Sequence, residues 1–381
     1  MGRILLLVFL ALFLVLATLR KWKLFFAVTA AALAVALVLL FTAVRSPETE
    51  AENPLARVRL AYSPDKRPLV TATAFGEALK SVHGLILSDI RLPADPDPEV
   101  LPDADALWAN GFRLLDRLET AGRSPMGTRT DFGAHLVVAT WPDVADALAR
   151  RGLVQSDGPD GPGGVLTDPA GLVSLARSVT PWASLGIRNM PGAVRLHAPS
   201  PRGDAAGRVA ALWLAEILSG SENLTADQLD SAMPELQTLY RGMGSVAASS
   251  MDLFGQFVKQ GSWDYPLAIV DEQAIVAFDR AFPAYRKTLA SGIRILRLAE
   301  PRLAEHPTAA FTEVGHRFLE AAVFPETAAL IWEGHGLRPL TVDIPPPEPA
   351  RRFGLDQLPM APPARPDGEL TAILTAAFPA P

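Results

Sequence analysis

The sequence predicts an α/β fold for the part of the chain that follows an apolar N-terminal segment. Hydrophobic patterns of strand length alternate with patterns of helix length, which is typical of sheets joined by helical crossovers. Residues 55–344 are numerous enough to bury a large core or two lobes. The chain contains no cysteine, so neither a disulfide framework nor a thiolate site is possible, and packing must stabilise the domain.

The N-terminal segment is expected to anchor the chain in a membrane. Leu24–Val44 holds no charged residue, and as a helix it would measure about 31 Å, close to the thickness of the hydrocarbon layer. Basic residues at positions 20, 21 and 23 precede it, which predicts that the rest of the chain lies on the extracytoplasmic side. A second apolar run, Ile4–Leu19, could pair with the first as a helical hairpin. Signal-peptide cleavage is a further alternative, but no small-x-small site is obvious near residues 42–46.

A short acidic stalk, Ser46–Pro54, leads into the first strand, expected at Val58–Tyr62. The turn Ser63–Lys66 ends this strand and a helix at Leu69–Leu79 follows it. Further strands are expected at Gly84–Asp89, His135–Thr140, Ala193–His197, Pro266–Val270 and Ile293–Leu298. Further helices are expected at Ala104–Thr120, Pro142–Arg151, Gly207–Ser219, Thr225–Tyr240, Leu253–Lys259, Ala310–Leu319 and Pro325–Gly334. This alternation favours a largely parallel sheet with helical crossovers.

Proline and glycine mark the irregular parts of the chain. Ser156–Gly164 has the composition of a loop, and Thr167–Pro169 has the sequence of a helix start. From residue 345 to residue 381, frequent prolines predict a tail that is extended or largely disordered. Within this tail, Leu370–Phe378 is an apolar patch that could dock on another surface.

Composition and motifs exclude several classes of function. With 35 basic and 41 acidic residues the formal net charge is −6, so the chain lacks the basic surface that nucleic acid requires. The six histidines form no ligand spacing such as H-E-x-x-H, so no metal site is expected. No glycine-rich phosphate loop is present either, and no cofactor is predicted.

Several short segments between about Arg57 and Pro339 are each only moderately specific, but their order along the chain is informative. They are Ala61–Lys66, Ala106–Ala109, Leu136–Pro142, Asn223–Gly261, Tyr265–Gln273, Glu305–Pro307 and Gly336–Pro339. Together they resemble the type 2 periplasmic-binding-protein family. The resemblance is to bacterial extracellular solute-binding proteins related to molybdate receptors, including membrane-anchored members that accompany von Willebrand A domain proteins.

The resemblance implies two α/β lobes joined by two crossing strands, with a small-molecule solute held in the cleft between them. Lobe I would comprise about residues 55–139 and 275–344, and lobe II about residues 140–274. Such clefts lie at the carboxyl ends of strands, where helix N-termini present free N–H groups. The implied function is non-enzymatic solute capture, with a transporter or a von Willebrand A protein as a possible partner.

The candidate ligand-binding residues are Ser63, Trp108, Thr140, Trp141, Asp204 and Glu272. Ser63 ends the first strand, and Thr140 with Trp141 ends the strand that crosses into the second lobe. Trp108, Trp141 and Trp182 could line the cleft for a flat or apolar solute, or could belong to the lobe cores.

Two acidic positions bear on the kind of solute. In the family, the turn that enters the main helix of the second lobe often carries hydroxyl residues that donate to an anion, whereas this chain has Asp204 there. Its charge lies where an oxyanion would bind, and its carboxylate could cap the helix itself. We therefore predict that molybdate, sulfate and phosphate do not bind. Asp271 and Glu272 could bind a cationic group or could lock the hinge.

Two alternatives to solute capture remain at this stage. The cleft could have lost its ligand groups, so that the domain serves as an envelope scaffold or interaction module. Ser63 and Lys66 also fit the S-x-x-K spacing of penicillin-recognising serine enzymes. The partner motifs S-D-N and K-T-G are missing from the chain, which makes the hydrolase hypothesis the weakest of the three.

Overall fold

A computed structural model describes residues 55–93, 96–97, 103–158, 161–359 and 368–378. The expected membrane segment Leu24–Val44, the apolar run Ile4–Leu19 and the stalk Ser46–Pro54 lie outside the described residues. Within the described ranges, none of the helices has the length and apolar character needed to cross a membrane.

Strands and helices alternate through the described part of the chain. The strands are β1 (Ala56–Tyr62), β2 (Leu85–Arg91), β3 (Ala106–Trp108), β4 (Gly127–Arg129), β5 (Phe132–Thr140), β6 (Val154–Ser156), β7 (Gly163–Leu166), β8 (Leu267–Asp271), β9 (Arg294–Leu298), β10 (Leu303–Glu305), β11 (Thr308–Ala310) and β12 (Arg338–Pro339). The helices are α1 (Arg67–Val70), α2 (Thr73–His83), α3 (Arg113–Thr120), α4 (Pro142–Arg150), α5 (Pro169–Arg177), α6 (Ala205–Ser219), α7 (Ala226–Gly242), α8 (Ser250–Gln260), α9 (Glu272–Ala281), α10 (Arg286–Gly292), α11 (Glu313–Ala322), α12 (Pro325–His335), α13 (Glu348–Arg352) and α14 (Gly368–Ala377).

The first lobe is built on a sheet with the strand order β2-β1-β3-β11-β4. β1 pairs in parallel with β2 and β3, whereas β11 pairs antiparallel with β3 and β4. Because the carboxyl ends of parallel strands meet at one edge of a sheet, the residues that follow β1 and β3 lie side by side. The turn at Ser63 and the loop at Asn110 are therefore neighbours.

The second lobe is built around the long strand β5. Its start pairs with β10 and β12, and its end pairs with β8 and β9, all antiparallel. β9 pairs in parallel with β7, which pairs antiparallel with β6. The expectation of a largely parallel sheet therefore holds for β2-β1-β3 and for β7-β9, but not for the pairs that β5 makes.

Apolar clusters cover both faces of each sheet. In the first lobe, one cluster lies between β1, β3 and helices α2, α11 and α12, and a second lies under α3. In the second lobe, one cluster is formed by α4, α5, α6 and α7 together with α14. The other is formed by α8, β8, α9 and the chain near residues 350–358. Each lobe therefore has a core of its own, and the chain crosses between them.

The changeover between the two sheets differs from the expected lobe boundaries. It falls near Asp131 and His306, because β5 begins the second sheet at Phe132 and the chain leaves this sheet after β10 at Glu305, returning to it with β12. We expected the boundaries near residues 139 and 275. The strand at 294–298, which we assigned to lobe I, pairs with β5 and β7 of the second sheet.

Two expected elements differ in type. The region expected as one helix, Ala104–Thr120, contains β3 and then α3, because Asn110-Gly111 interrupts the pattern and Gly111 has a φ of +82°. The three residues of β3 are buried on both faces, so they lack the alternation that identifies a strand. The expected helix Ala310–Leu319 likewise begins with β11.

Two further regions differ in regularity. Ala193–His197, expected as a strand, forms only isolated bridges to Pro181 and Ala268, since prolines at 191 and 199 limit pairing on either side. The tail, expected to be extended or largely disordered, contains α13 and α14. Pro349 stands in the first turn of α13, where proline is tolerated because its missing N–H has no helical partner.

Candidate functional site at the contact between the lobes

Asn110, in the loop after β3, connects the two lobes. Its backbone N–H donates to Ser63 Oγ over 3.0 Å, which fixes the loop against the turn that follows β1. Its side-chain amide donates to Asp204 Oδ1 over 3.2 Å, and its side-chain oxygen accepts from the N–H of Ala205 over 2.9 Å. Asn110 therefore occupies the N-terminus of α6 with a group from the opposite lobe.

Asp204 precedes α6 but does not cap that helix with its own side chain. Its second carboxylate oxygen instead accepts from the N–H of Ser250 over 2.7 Å, at the N-terminus of α8. Ser250 in turn exchanges hydrogen bonds with Asp271, which caps α9 by accepting from the N–H of Ala274. The starts of three helices are thus linked through two buried carboxylates.

A buried lysine lies on the first-lobe side of this contact. Lys66 is 0% exposed, and its ammonium donates to Asp65 and, over 2.7 Å, to Nδ1 of His306. Because an ammonium only donates, Nδ1 of His306 must accept and the ring proton must reside on Nε2. That Nε2 is buried and lacks a hydrogen-bond partner among the described residues, as does Oδ1 of Asp65.

We call this set the interlobe cluster. It comprises Ser63, Asp65, Lys66, Asn110, Asp204, Arg208, Ser250, Asp271 and His306. Its carboxylates lie close enough to repel one another: burial, and then the charge of Asp65, raises the pKa of Asp204 above its usual range. Burial, and then the charge of Asp204, raises the pKa of Asp271 to about 7. Burial and the charge of Lys66 hold the pKa of His306 well below its usual value, so this ring is neutral.

Arg208, one turn into α6, completes the contact by donating to the backbone oxygen of Asn110. Gly111 lies directly beneath it, since a Cβ at this position would lie 2.6 Å from the guanidinium. A cavity of about 40 Å³ adjoins Arg208 and Gly111, which is room for about one water molecule. Two larger hollows, of about 300 and 440 Å³, lie on the second lobe and share no residue with the interlobe cluster.

Two of the six predicted ligand-binding residues, Ser63 and Asp204, belong to the interlobe cluster. Trp108 does not line the cleft: it is fully buried in the first lobe, where its ring packs against Phe75, Phe132 and Phe318. β3 has only three residues, so its pattern of apolar and polar residues cannot predict which face of the sheet the Trp108 ring occupies.

Thr140 and Trp141 have structural partners. The Thr140 hydroxyl, fully buried, donates to the backbone oxygen of Pro266 over 2.9 Å. The Trp141 ring packs on Phe257, and its N–H donates to the backbone oxygen of Tyr265 over 2.8 Å. Both residues therefore tie β5 to the segment that precedes β8. Trp182 is also buried, in the core of the second lobe.

Glu272, the first residue of α9, forms a buried ion pair rather than facing the cluster. Its carboxylate accepts from Arg338 Nε over 2.9 Å and from a terminal guanidinium nitrogen over 2.7 Å, and also from the N–H of His135. Arg338 also donates to the backbone oxygen of Leu355. Of the two hypotheses for the acidic pair, these contacts favour a lock on the crossing strands.

The sequence signal for the rest of the cluster was incomplete. The dipeptide Asn110-Gly111 predicts a turn, but it does not indicate that Asn110 contacts Asp204. The sequence places Lys66 in the turn after the first strand and, through the S-x-x-K spacing, suggests it as the base of a serine hydrolase. In the structure its ammonium contacts Asp65 and His306, while Ser63 Oγ accepts from Asn110. The hydrolase hypothesis is thus left without the serine–lysine contact that it requires.

Comparisons with known proteins agree with the two-lobed description. No protein-family model matches the sequence, and no curated protein matches it. The structure is similar to a Bordetella parapertussis protein described as an extracellular solute-binding protein, with a TM-score of 0.56, 9% identity, and coverage of 84% of this chain and 96% of that one. It is similar to apo ferric ion-binding protein A of Pasteurella haemolytica, with a TM-score of 0.53, 10% identity, and coverage of 84% and 95%. It is also similar to maltose-bound MalE3 of T. maritima, with a TM-score of 0.53, 10% identity, and coverage of 85% and 96%.

These likenesses define the class of fold. The described part of the chain has the two-lobed α/β fold of the periplasmic-binding-protein type. At such low identity the likeness concerns the fold alone, so what the chain binds must be argued from its own residues.

Proposed function

We propose that this chain is an extracytoplasmic solute-binding protein that captures a small molecule between its lobes without catalysing a reaction. The observation that carries the proposal is the interlobe cluster, where buried polar groups of both lobes converge at strand ends and helix starts. In α/β proteins, ligands bind at such edges. The relatives in fold include one named for ferric ion and one bound to maltose, and both names are consistent with a cleft that holds a solute.

The chemistry of the cluster favours a neutral polar solute. An anion would have to compete with Asp204 and Asn110 for the N–H groups that begin α6 and α8. Within the described residues, His306 Nε2 supplies one buried donor without a partner, and Asp65 Oδ1 supplies one buried acceptor without a partner. Hydroxyl groups of a solute can accept from the donor and donate to the acceptor. Molybdate-like ligands, which the family resemblance suggested, fit this arrangement poorly.

We also propose that Leu24–Val44 tethers the protein to the membrane, with the two lobes on the extracytoplasmic side. The support is the charge-free length of this segment and the basic residues before it. A transporter or a von Willebrand A protein would then be a partner at the same membrane surface.

The test is a thermal-shift screen of a fragment that begins near Asn53, with sugars and polyols, amino acids, cations and oxyanions as probes. We expect at least one hydroxyl-bearing probe to raise the melting temperature. Lys66→Met should abolish that shift, because it removes the group that orients His306 and Asp65. Lys80→Met is the matched control, since Lys80 is an exposed lysine of the same lobe.

A second candidate function is an envelope scaffold whose cleft no longer binds a solute. The specific observation in its favour is that Asn110 and Asp204 already satisfy the helix-terminal N–H groups that a ligand would use. Small-angle scattering with and without a cell extract separates the two candidates. Compaction supports solute capture, because closure requires preferential affinity for the closed state. No thermal shift and no compaction would favour the scaffold.

A further inference from the structure

The C-terminal residues cross between the lobes, although the sequence predicted an unstructured tail. The first crossing follows β12. The N–H of Leu340 donates to the backbone oxygen of Asp131, and Ile344 lies in the core of the first lobe. Only a few residues later, Phe353 and Leu355 lie in a core of the second lobe. One short segment is thus inserted into both cores.

The second crossing is α14. Leu374 of this helix and Phe378, directly after it, are buried in the main core of the second lobe, with Leu374 fully enclosed. The Phe378 ring meets Tyr240 edge to face with the ring centroids 4.8 Å apart. Gln237 donates to the backbone oxygen of Ala377 over 3.0 Å. These contacts attach the end of α14 to α6 and α7.

The start of α14 reaches the first lobe. The helix contacts α3 there, and a Cβ at Gly368 would lie 3.4 Å from a carboxylate oxygen of Asp116. Thr371 lines the same small cavity as Gly111 of the first lobe and Arg208 of the second. The helix therefore lies over the edge of the cleft, beside the interlobe cluster.

We propose that α14 is a strap that holds the two lobes together and must give up its contacts with one of them before the cleft can open. Opening separates α3 from α6, so a helix packed on both must lose one of its contacts. The biological meaning of the strap rests on the proposed function: it would control when the cleft admits a solute. Apolar burial at Leu374 and Phe378, next to the polar cluster, is what keeps the strap in place.

The test measures opening directly and needs no solute. Because the chain has no cysteine, Ser81→Cys on α2 and Ser174→Cys on α5, both exposed, provide unique sites for spin labels on the two lobes. The distance distribution is compared between full-length Leu374→Glu and full-length Ala376→Glu. Ala376 is an exposed residue of the same helix, so it controls for the added charge.

We expect Leu374→Glu to increase the fraction of longer distances roughly tenfold over Ala376→Glu, because losing one buried leucine typically shifts a two-state equilibrium by at least this factor. Amide hydrogen exchange of residues 368–377 reports whether the strap has left. If Leu374→Glu does not fold, Phe378→Ala serves as the milder variant, with a smaller increase in the same direction. Release of the helix with an unchanged distance distribution, in either variant, overturns the proposal. A failed solute screen would leave this measurement unaffected.

Discussion

Replacing Glu272 with alanine should destabilise the protein strongly, because it breaks the buried ion pair that joins α9, β5 and β12. The Arg338 side chain is 2% exposed and that of Glu272 is fully buried. Removing the carboxylate leaves the guanidinium charged, buried and without its bidentate partner, and it also leaves the N–H of His135 without an acceptor. Breaking a buried pair in this way costs about 3–5 kcal/mol. The expected fall in melting temperature is roughly 6–10 °C, at about 2 °C per kcal/mol for a domain of this size.

The assay is urea denaturation followed by circular dichroism, with Glu313→Ala as the matched control. Glu313 is also the first residue of a ten-residue helix, but it is exposed, so its loss should cost only the helix-dipole contribution of about 0.3–1 kcal/mol. Replacing both Glu272 and Arg338 with leucine should recover much of the loss, because no unpaired charge remains. Equal destabilisation by Glu272→Ala and Glu313→Ala would show that the ion pair does not lock the crossing strands, and would return Glu272 to the candidate ligand groups.

Three further outcomes follow from the same structure. The free energy of unfolding of Asp271→Asn should exceed that of the parent by an amount that grows to about 4 kcal/mol between pH 4 and pH 8. The reason is that the raised pKa of Asp271 stabilises the parent below pH 4, and this stabilisation is lost as pH rises through about 7. Urea denaturation of both proteins at several pH values checks this, and a difference that does not change with pH would contradict it. Trp108→Ala should cost about 3–5 kcal/mol in thermal unfolding, while Trp263→Ala, at an exposed tryptophan, should change stability by less than about 0.5 kcal/mol. Molybdate, sulfate and phosphate at millimolar concentration should leave the melting temperature unchanged, and a shift with any of them would refute the argument that Asp204 and Asn110 occupy the anion position.

Local signals predicted the elements that depend on local chemistry. The Ser63–Lys66 turn follows β1 as expected, although the single helix expected at Leu69–Leu79 is divided into α1 and α2, and Trp141-Pro142 starts α4 at the expected residue. The helix after Asp204 was also expected where α6 lies. Proline marks the boundary in the first two cases, and in the third a residue type typical of the N-cap position marks it although its side chain bonds elsewhere, so a short window of sequence is sufficient.

The contacts between lobes could not be predicted in this way. Asp204 was selected for its place before a helix, but its partner Asn110 lies 94 residues earlier in the chain, and nothing in either local pattern names the other. The burial of Trp108 depends on which face of a three-residue strand it occupies. Leu370–Phe378 was identified as an apolar patch, yet the surface that buries it is formed by α6 and α7, more than a hundred residues away.

Under the proposed function, the position of Asn110 determines how a solute would enter. Its amide is attached to the first lobe and rests on the first N–H of α6, so it acts as a tethered competitor present at a high effective concentration. A solute that approached this helix would bind by exchange, because it would have to displace the asparagine side chain and satisfy Asp204 in its place. Selectivity would then be exerted against weak oxygen ligands such as water and simple anions, which lack a donor and an acceptor in the spacing of a carboxamide.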